Sequence, residues 1–181
     1  MSVRKQQSSI PTISEFNDDP TGQETVNVLK KASTLASRIT GNDNGSLGLH
    51  PAIYYYGPSG RHSTPMFLGT VSLIAEKIAN NDKIFFKKFT EIRSRLEKLL
   101  ITNKDLIAMI LQKNISKNRV PKYHELLDGI IKSLLKQDTV DENDIIKISQ
   151  LEGKVLAGDF KKTNPNISQE AKSKIFIYTA L

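Results

Sequence analysis

The chain has 181 residues, no cysteine, no tryptophan and a formal net charge of +7. That length buries one sizeable core, and the missing cysteines exclude disulfides, thiolate metal sites and a thiol nucleophile, in keeping with a reducing cytosol. No apolar run approaches the ~18 residues of a membrane span, and "MSVRKQQSSIPTISEF" lacks the apolar centre of a secretory signal.

The charge is unevenly placed. Residues 1–60 hold five Lys/Arg and five Asp/Glu, whereas residues 83–122 hold eleven Lys/Arg against three acids. A local cationic excess of this kind points to a polyanionic partner, with nucleic acid first. A solvated helix face is the alternative.

Taken in order, residues 1–20 are polar, contain Pro11 and Pro20, and show no periodicity, so they are expected to form a flexible lead-in. A single helical domain is expected over 21–181. Its first helix starts at Thr21 and Glu24, which have capping-box spacing, and carries Val28, Leu29, Ala32, Leu35, Ala36 and Ile39 on its apolar side before Gly41 ends it. Then comes "SLGLHPAIYYYGPSGRHSTPMFLG", Ser46 to Gly69. Its "AIYYY" is the one stretch that reads as a short extended segment, with Tyr54 and Tyr56 on one side and Tyr55 on the other.

A second helix follows with Thr64 as N-cap and Pro65 at its first position. A third, "DKIFFKKFTEIRSRLEKLLIT", has Ile84, Phe85, Phe89, Ile92, Leu96 and Leu99 as its apolar stripe. "NKDLIAMILQKN" gives a fourth capped by Asn103, "PKYHELLDGIIKSLLKQ" a fifth begun by Pro121, and "DENDIIKISQLEG" a short sixth. "KVLAGDFKKTNPN" is irregular. A last helix, started by Ser168, runs apolar to Leu181 as though it continued into another domain. The expected fold class is all-α, a bundle of six to seven helices with a Tyr-rich loop or short extended segment at 46–63.

Patterns for catalysis are missing. His50, His62 and His124 are scattered, and zinc, P-loop, dinucleotide and nucleophile-elbow motifs are absent. Ser59 and His62 can be paired on paper, but no third member is evident. The expectation is a chain that is non-catalytic by itself, with no metal and no cofactor.

For binding, the tyrosines admit two readings: a loop pinned onto the bundle through Leu49, His50, Pro51, Tyr54, Tyr55, Tyr56 and Gly60, or a base-stacking surface. Arg61 and His62, just before the second helix, suit a phosphate at a helix start, or Arg61 pairs internally. On the third helix Lys87, Lys88, Arg93, Arg95 and Lys98 form the best basic surface, extended by Lys113, Lys117, Arg119 and Lys122. Contact with about five duplex phosphates would give a log–log salt slope of roughly −4 to −5.

The segment Leu49 to His62, preceded by "LKKASTLASRITG" and closed by "SQEAKSKIFIYTAL", resembles the middle region of bacterial proteins with a distinctive domain order. These carry an N-terminal ParB/sulfiredoxin-like domain of the GmrSD type and a C-terminal HNH nuclease domain, and act in restriction of foreign DNA. The resemblance covers about residues 20–181. The flanking domains have no counterpart in this sequence, so neither nucleotide hydrolysis nor DNA cleavage carries over. What it implies is a cytoplasmic helical connector between nucleotide-sensor and nuclease parts, with DNA and those domains or subunits as partners. The alternative is a protein–protein module that docks through its C-terminal helix without touching nucleic acid.

Overall fold

The computed structural model describes residues 18–41 and 44–154. The expected flexible segment 1–20, apart from its last three residues, and the expected helix at 168–181 lie outside them. Seven α-helices and no strand occur among the described residues, so the all-α class holds. They are α1 (Gln23–Thr40), α2 (Pro51–Tyr54), α3 (Thr64–Ala79), α4 (Lys83–Thr102), α5 (Lys104–Lys113), α6 (Arg119–Leu134) and α7 (Glu142–Ile148), with a 3₁₀ turn at Ser116–Asn118 before α6.

The chain divides into two units between Thr34 and Leu35, inside α1. In the first unit, Asp19 rather than a Thr21–Glu24 box organises the helix start. Its carboxylate accepts the Thr25 amide at 2.8 Å, a bond that holds Asp19 below the usual carboxylate range. Val28 and Leu29, expected on the apolar side, are 64% and 63% exposed.

The second unit contains the core. Leu47, Leu49 and Ile53 join Met66, Leu73 and Ile74 of α3, Phe85, Phe89, Ile92, Leu96 and Leu99 of α4, and the inward residues of α5, α6 and α7. Thus the expected α4 stripe packs as read, with one correction: Ile84 is 67% exposed. At 100° per residue, position 84 falls with 87, 88, 91, 95 and 98 on the side opposite Phe89 and Leu96. Its apolar character misassigned it.

Helix starts differ by a residue or two. Ser63, not Thr64, is the N-cap of α3. Asp82 caps α4 by accepting the Phe85 amide at 2.8 Å. Asn103 is the N-cap of α5 as expected, but through its carbonyl, which accepts the Ile107 amide at 2.9 Å; its side chain donates back to the Leu99 carbonyl at 3.0 Å. The fifth expected helix, α6, starts at Arg119 and so takes Pro121 into its first turn. A capping box between Asp141 and Asp144 opens α7.

The most extensive helix contact joins α3 and α6. It depends on Gly69, where a Cβ would lie 2.8 Å from Tyr123 Cδ1 and 3.1 Å from the His124 nitrogen. No side chain fits there without moving α6. Gly129 plays the same part toward α7, where a Cβ would stand 2.4 Å from Ile148 Cγ2.

Candidate nucleic-acid interface

The Tyr-rich segment is not extended. His50 is the N-cap of α2, its Nδ1 accepting the Ala52 amide at 3.2 Å, and Pro51 at the first helical position presets φ for the turn. That single turn puts Tyr54 and Tyr55 inside, at 0% and 5% exposure, and leaves Tyr56 at 36%. The Tyr54 hydroxyl donates to Glu97 Oε1 at 3.1 Å. Burial, then the neighbouring Glu97 charge, holds that phenol well above its ordinary pKa. Burial likewise pushes Tyr55 up to about 12. Base stacking on Tyr54 and Tyr55 is therefore excluded in this conformation. Leu49, Ile53, Tyr54 and Tyr55 are buried in the bundle, whereas Pro51, Tyr56 and Gly60 are exposed.

Two cations lock the corner. Arg93, half-way along α4, donates to Glu97 Oε1 at 2.8 Å, to the Leu47 carbonyl at 2.6 Å and to the Gly48 carbonyl at 2.8 Å. Lys104 donates to the carbonyls of Ile53 and Tyr56, both at 2.8 Å, which closes the C-terminal end of α2. Burial lowers the Lys104 ammonium to about 8. Lys104 carried no sequence signal, because a lysine opening a helix reads as surface until the carbonyls it serves, about fifty residues earlier, are known.

The basic residues expected on α4 fall into two groups. Arg93 is engaged in holding the corner. Arg95 donates to Asp138 Oδ1 at 3.0 Å and to the Asp138 carbonyl at 3.3 Å, which ties down the loop after α6. Lys87, Lys88 and Lys98 are exposed and have no hydrogen bond or ion pair among the described residues. They share the solvent face of α4 with Glu91 and Ile84.

Arg61 and His62 sit elsewhere, on the turn between α2 and α3. That turn is closed by Gly57 N–H to the Arg61 carbonyl at 2.8 Å and Gly60 N–H to the Gly57 carbonyl at 3.0 Å. Gly60 takes φ +71°, where a side chain is disfavoured, and Tyr56 bridges to His62 as the one isolated β-pair among the described residues. Arg61 is exposed with no internal acceptor, so the alternative of an internal carboxylate partner is not what this conformation shows. Arg61 and His62 line a cleft of about 470 Å³ that Arg119 of α6 also lines.

One polar cluster was invisible in the sequence. Between α3 and α6, Ser72 Oγ lies 3.0 Å from His124 Nδ1, and His124 Nε2 lies 3.0 Å from Glu76 Oε2. The line continues from Glu76 Oε1 to Lys77 Nζ at 3.1 Å, from there to Asp128 Oδ1 at 3.3 Å, and from Asp128 Oδ2 to Lys132 at 2.6 Å. The hydrogen bond from Lys77 holds Glu76 below its ordinary pKa. Burial opposes the charge on Lys77, but its bonds to Glu76 and Asp128 outweigh that and hold it higher.

A serine, a histidine and a carboxylate in line resemble a hydrolytic triad, but the amides next to Ser72 are committed to the helix and are not free as oxyanion donors. Ser72 lies mid-helix, where the surrounding amides already bond the carbonyls four residues back. The cluster ties α3 to α6 instead. Ser59 and His62, paired on paper, both line the cleft but share no hydrogen bond.

Among the described residues no group of three or more His, Asp or Glu is placed to hold a metal ion, and no helix is long and apolar enough to cross a membrane. Compared with family models, with curated proteins and with solved structures, the chain matches none.

Proposed function

We propose that this chain is a non-catalytic helical connector that contacts nucleic-acid phosphates, in a restriction-type system with nucleotide-sensor and HNH nuclease parts. The system-level context is carried by the sequence resemblance alone. The phosphate contact is carried by one structural observation: Lys87, Lys88 and Lys98 share the open face of α4 without internal partners, while Arg93 and Arg95 beside them are engaged. Unpaired cations on a helix face bind a polyanion by releasing its counterions, and need no base contact to do so.

The engaged arginines change the expected salt dependence. Three free lysines in place of five cations predict a log–log slope of about −3 for duplex DNA, shallower than the sequence suggested. Fluorescence anisotropy with a labelled duplex at several salt concentrations measures it. Salt-insensitive binding, or none at low salt, removes the role.

The non-catalytic part of the proposal is supported by the mid-helix place of Ser72, whose neighbouring amides are taken up by helix bonds. Hydrolysis of an activated ester by the purified chain, lost in Ser72→Ala, would overturn it.

A further inference from the structure

The cleft beside α3 is lined by residues that α4 does not contribute. Arg61 comes from the 57–61 turn, Arg119 from the start of α6, and among its described lining residues none is acidic. Both guanidinium groups have free donors. The Arg61 side chain makes no hydrogen bond among the described residues, and Arg119 uses only Nε, which donates to the Asn114 carbonyl at 3.1 Å and leaves both terminal nitrogens open. That one bond also orients the Arg119 plane. The turn bearing Arg61 is held by its own backbone bonds, so little order has to be gained on binding.

Two arginines lining one space, with no carboxylate among the described lining residues, favour an anion there. A phosphomonoester carries about −1.5 to −2 charges and three acceptor oxygens, which matches two guanidinium groups. A backbone diester, with a single charge, does not. The volume, about 470 Å³, exceeds what a bare phosphate fills and falls in the roughly 300–1,000 Å³ range of small-molecule sites. Pro58, Pro65 and Ala108, each part-exposed, give the remaining wall apolar surface against which a base can rest.

We propose that this cleft binds the terminal phosphomonoester of a nucleotide, either free or at the end of a nucleic-acid strand, through Arg61 and Arg119. The proposal rests on the nucleic-acid reading above and adds to it a site for strand ends or mononucleotides, apart from the α4 lysines.

Calorimetric titration of the whole chain with dAMP, deoxyadenosine and inorganic phosphate tests it. The expected result is binding of dAMP and none of deoxyadenosine, with Arg61→Gln and Arg119→Gln each weakening dAMP at least about tenfold. Because Arg61 is exposed and partnerless, Arg61→Gln keeps the test free of folding defects. Competition by a short oligonucleotide with a 5′-phosphate, but not by its 5′-hydroxyl form, identifies a strand end as the source. Competition by neither identifies the free nucleotide.

Equal binding of dAMP and deoxyadenosine, no binding of dAMP at about millimolar concentration, or an Arg61→Gln variant that binds as wild type overturns the proposal. None of those outcomes touches duplex binding by Lys87, Lys88 and Lys98. Charge reversal at those lysines in turn leaves dAMP binding intact, so the two proposals fail separately.

Discussion

Lys104 stands in the first turn of α5, where a positive charge opposes the helix dipole, yet its ammonium serves the carbonyl end of α2, where a positive charge is favoured. The lowered value of about 8 has a direct consequence for stability. Between that value and the ordinary 10.5, the unfolded chain holds the proton and the folded chain releases it, so stability rises with pH across the window. A neutral amine still has two N–H groups, one for each carbonyl. Urea unfolding at about pH 7.5 and about pH 9.5 should therefore show the stability gap between wild type and Lys104→Met widening in favour of wild type. A constant gap would show that Lys104 titrates normally. Above the ordinary tyrosine value of 10.0 the sign reverses, because unfolded tyrosines lose their protons before Tyr55, raised to about 12, loses its own.

The tyrosines themselves differ by one hydrogen bond. The hydroxyl of Tyr54 has the Glu97 carboxylate as acceptor, whereas that of Tyr55 is buried without a protein partner among the described residues. Tyr54→Phe should cost about 1–2 kcal/mol, and Tyr55→Phe close to nothing or a slight gain. Thermal unfolding of the two variants side by side checks the ordering. The sequence does not say which of Tyr54 and Tyr55 has an acceptor, because neighbours along the chain say nothing of a partner on α4.

Among the elements, α3 and α6 set the arrangement of the second unit. At Gly69, alanine gains up to about 1 kcal/mol of helix propensity but meets Tyr123 and the backbone of His124, and overpacking of that kind costs about 1–3 kcal/mol. Gly69→Ala should therefore destabilise on balance, read as a lower midpoint in urea; an unchanged or raised midpoint would mean that α6 yields freely. α4 offers the complementary contrast. Ile84→Lys should lie within about 0.5 kcal/mol of wild type, and Phe89→Ala should cost about 3–5 kcal/mol, although both positions belonged to one apolar stripe in the sequence. Periodicity gave helix existence and register well, since Phe85, Phe89, Ile92, Leu96 and Leu99 all pack as spaced. It failed at Ile84, and at Val28 and Leu29 of α1, because an apolar side chain is permitted on a surface while a lysine is rarely permitted in a core.

At the scale of the whole molecule, the question is which cations face outward. Replacing Lys87, Lys88 and Lys98 by glutamate should leave the melting temperature nearly unchanged, as expected of exposed positions away from caps and pairs, and abolish duplex binding. Removing residues 175–181 should leave that binding intact; its loss on truncation would show that the α4 lysines do not suffice for it. Arg93→Ala belongs to a different class. It withdraws donors from the Leu47 and Gly48 carbonyls and from Glu97, and should cost about 2 kcal/mol through the corner it holds. Selecting basic residues by count would have grouped all of these together.

What the sequence determined alone is the helical class, the placement of most helices, the buried stripe of α4 and the local excess of positive charge, because these follow from spacing and composition that hold within a turn or two of chain. The tertiary structure alone decided which arginines are engaged, that "AIYYY" contributes a helical turn and not a strand, that Lys104 closes α2, and that Arg61 and Arg119 line one cleft. Apart from that local turn, each is a contact between residues tens of positions apart. The energy of such a contact depends on distance in space, and helical spacing carries no record of it.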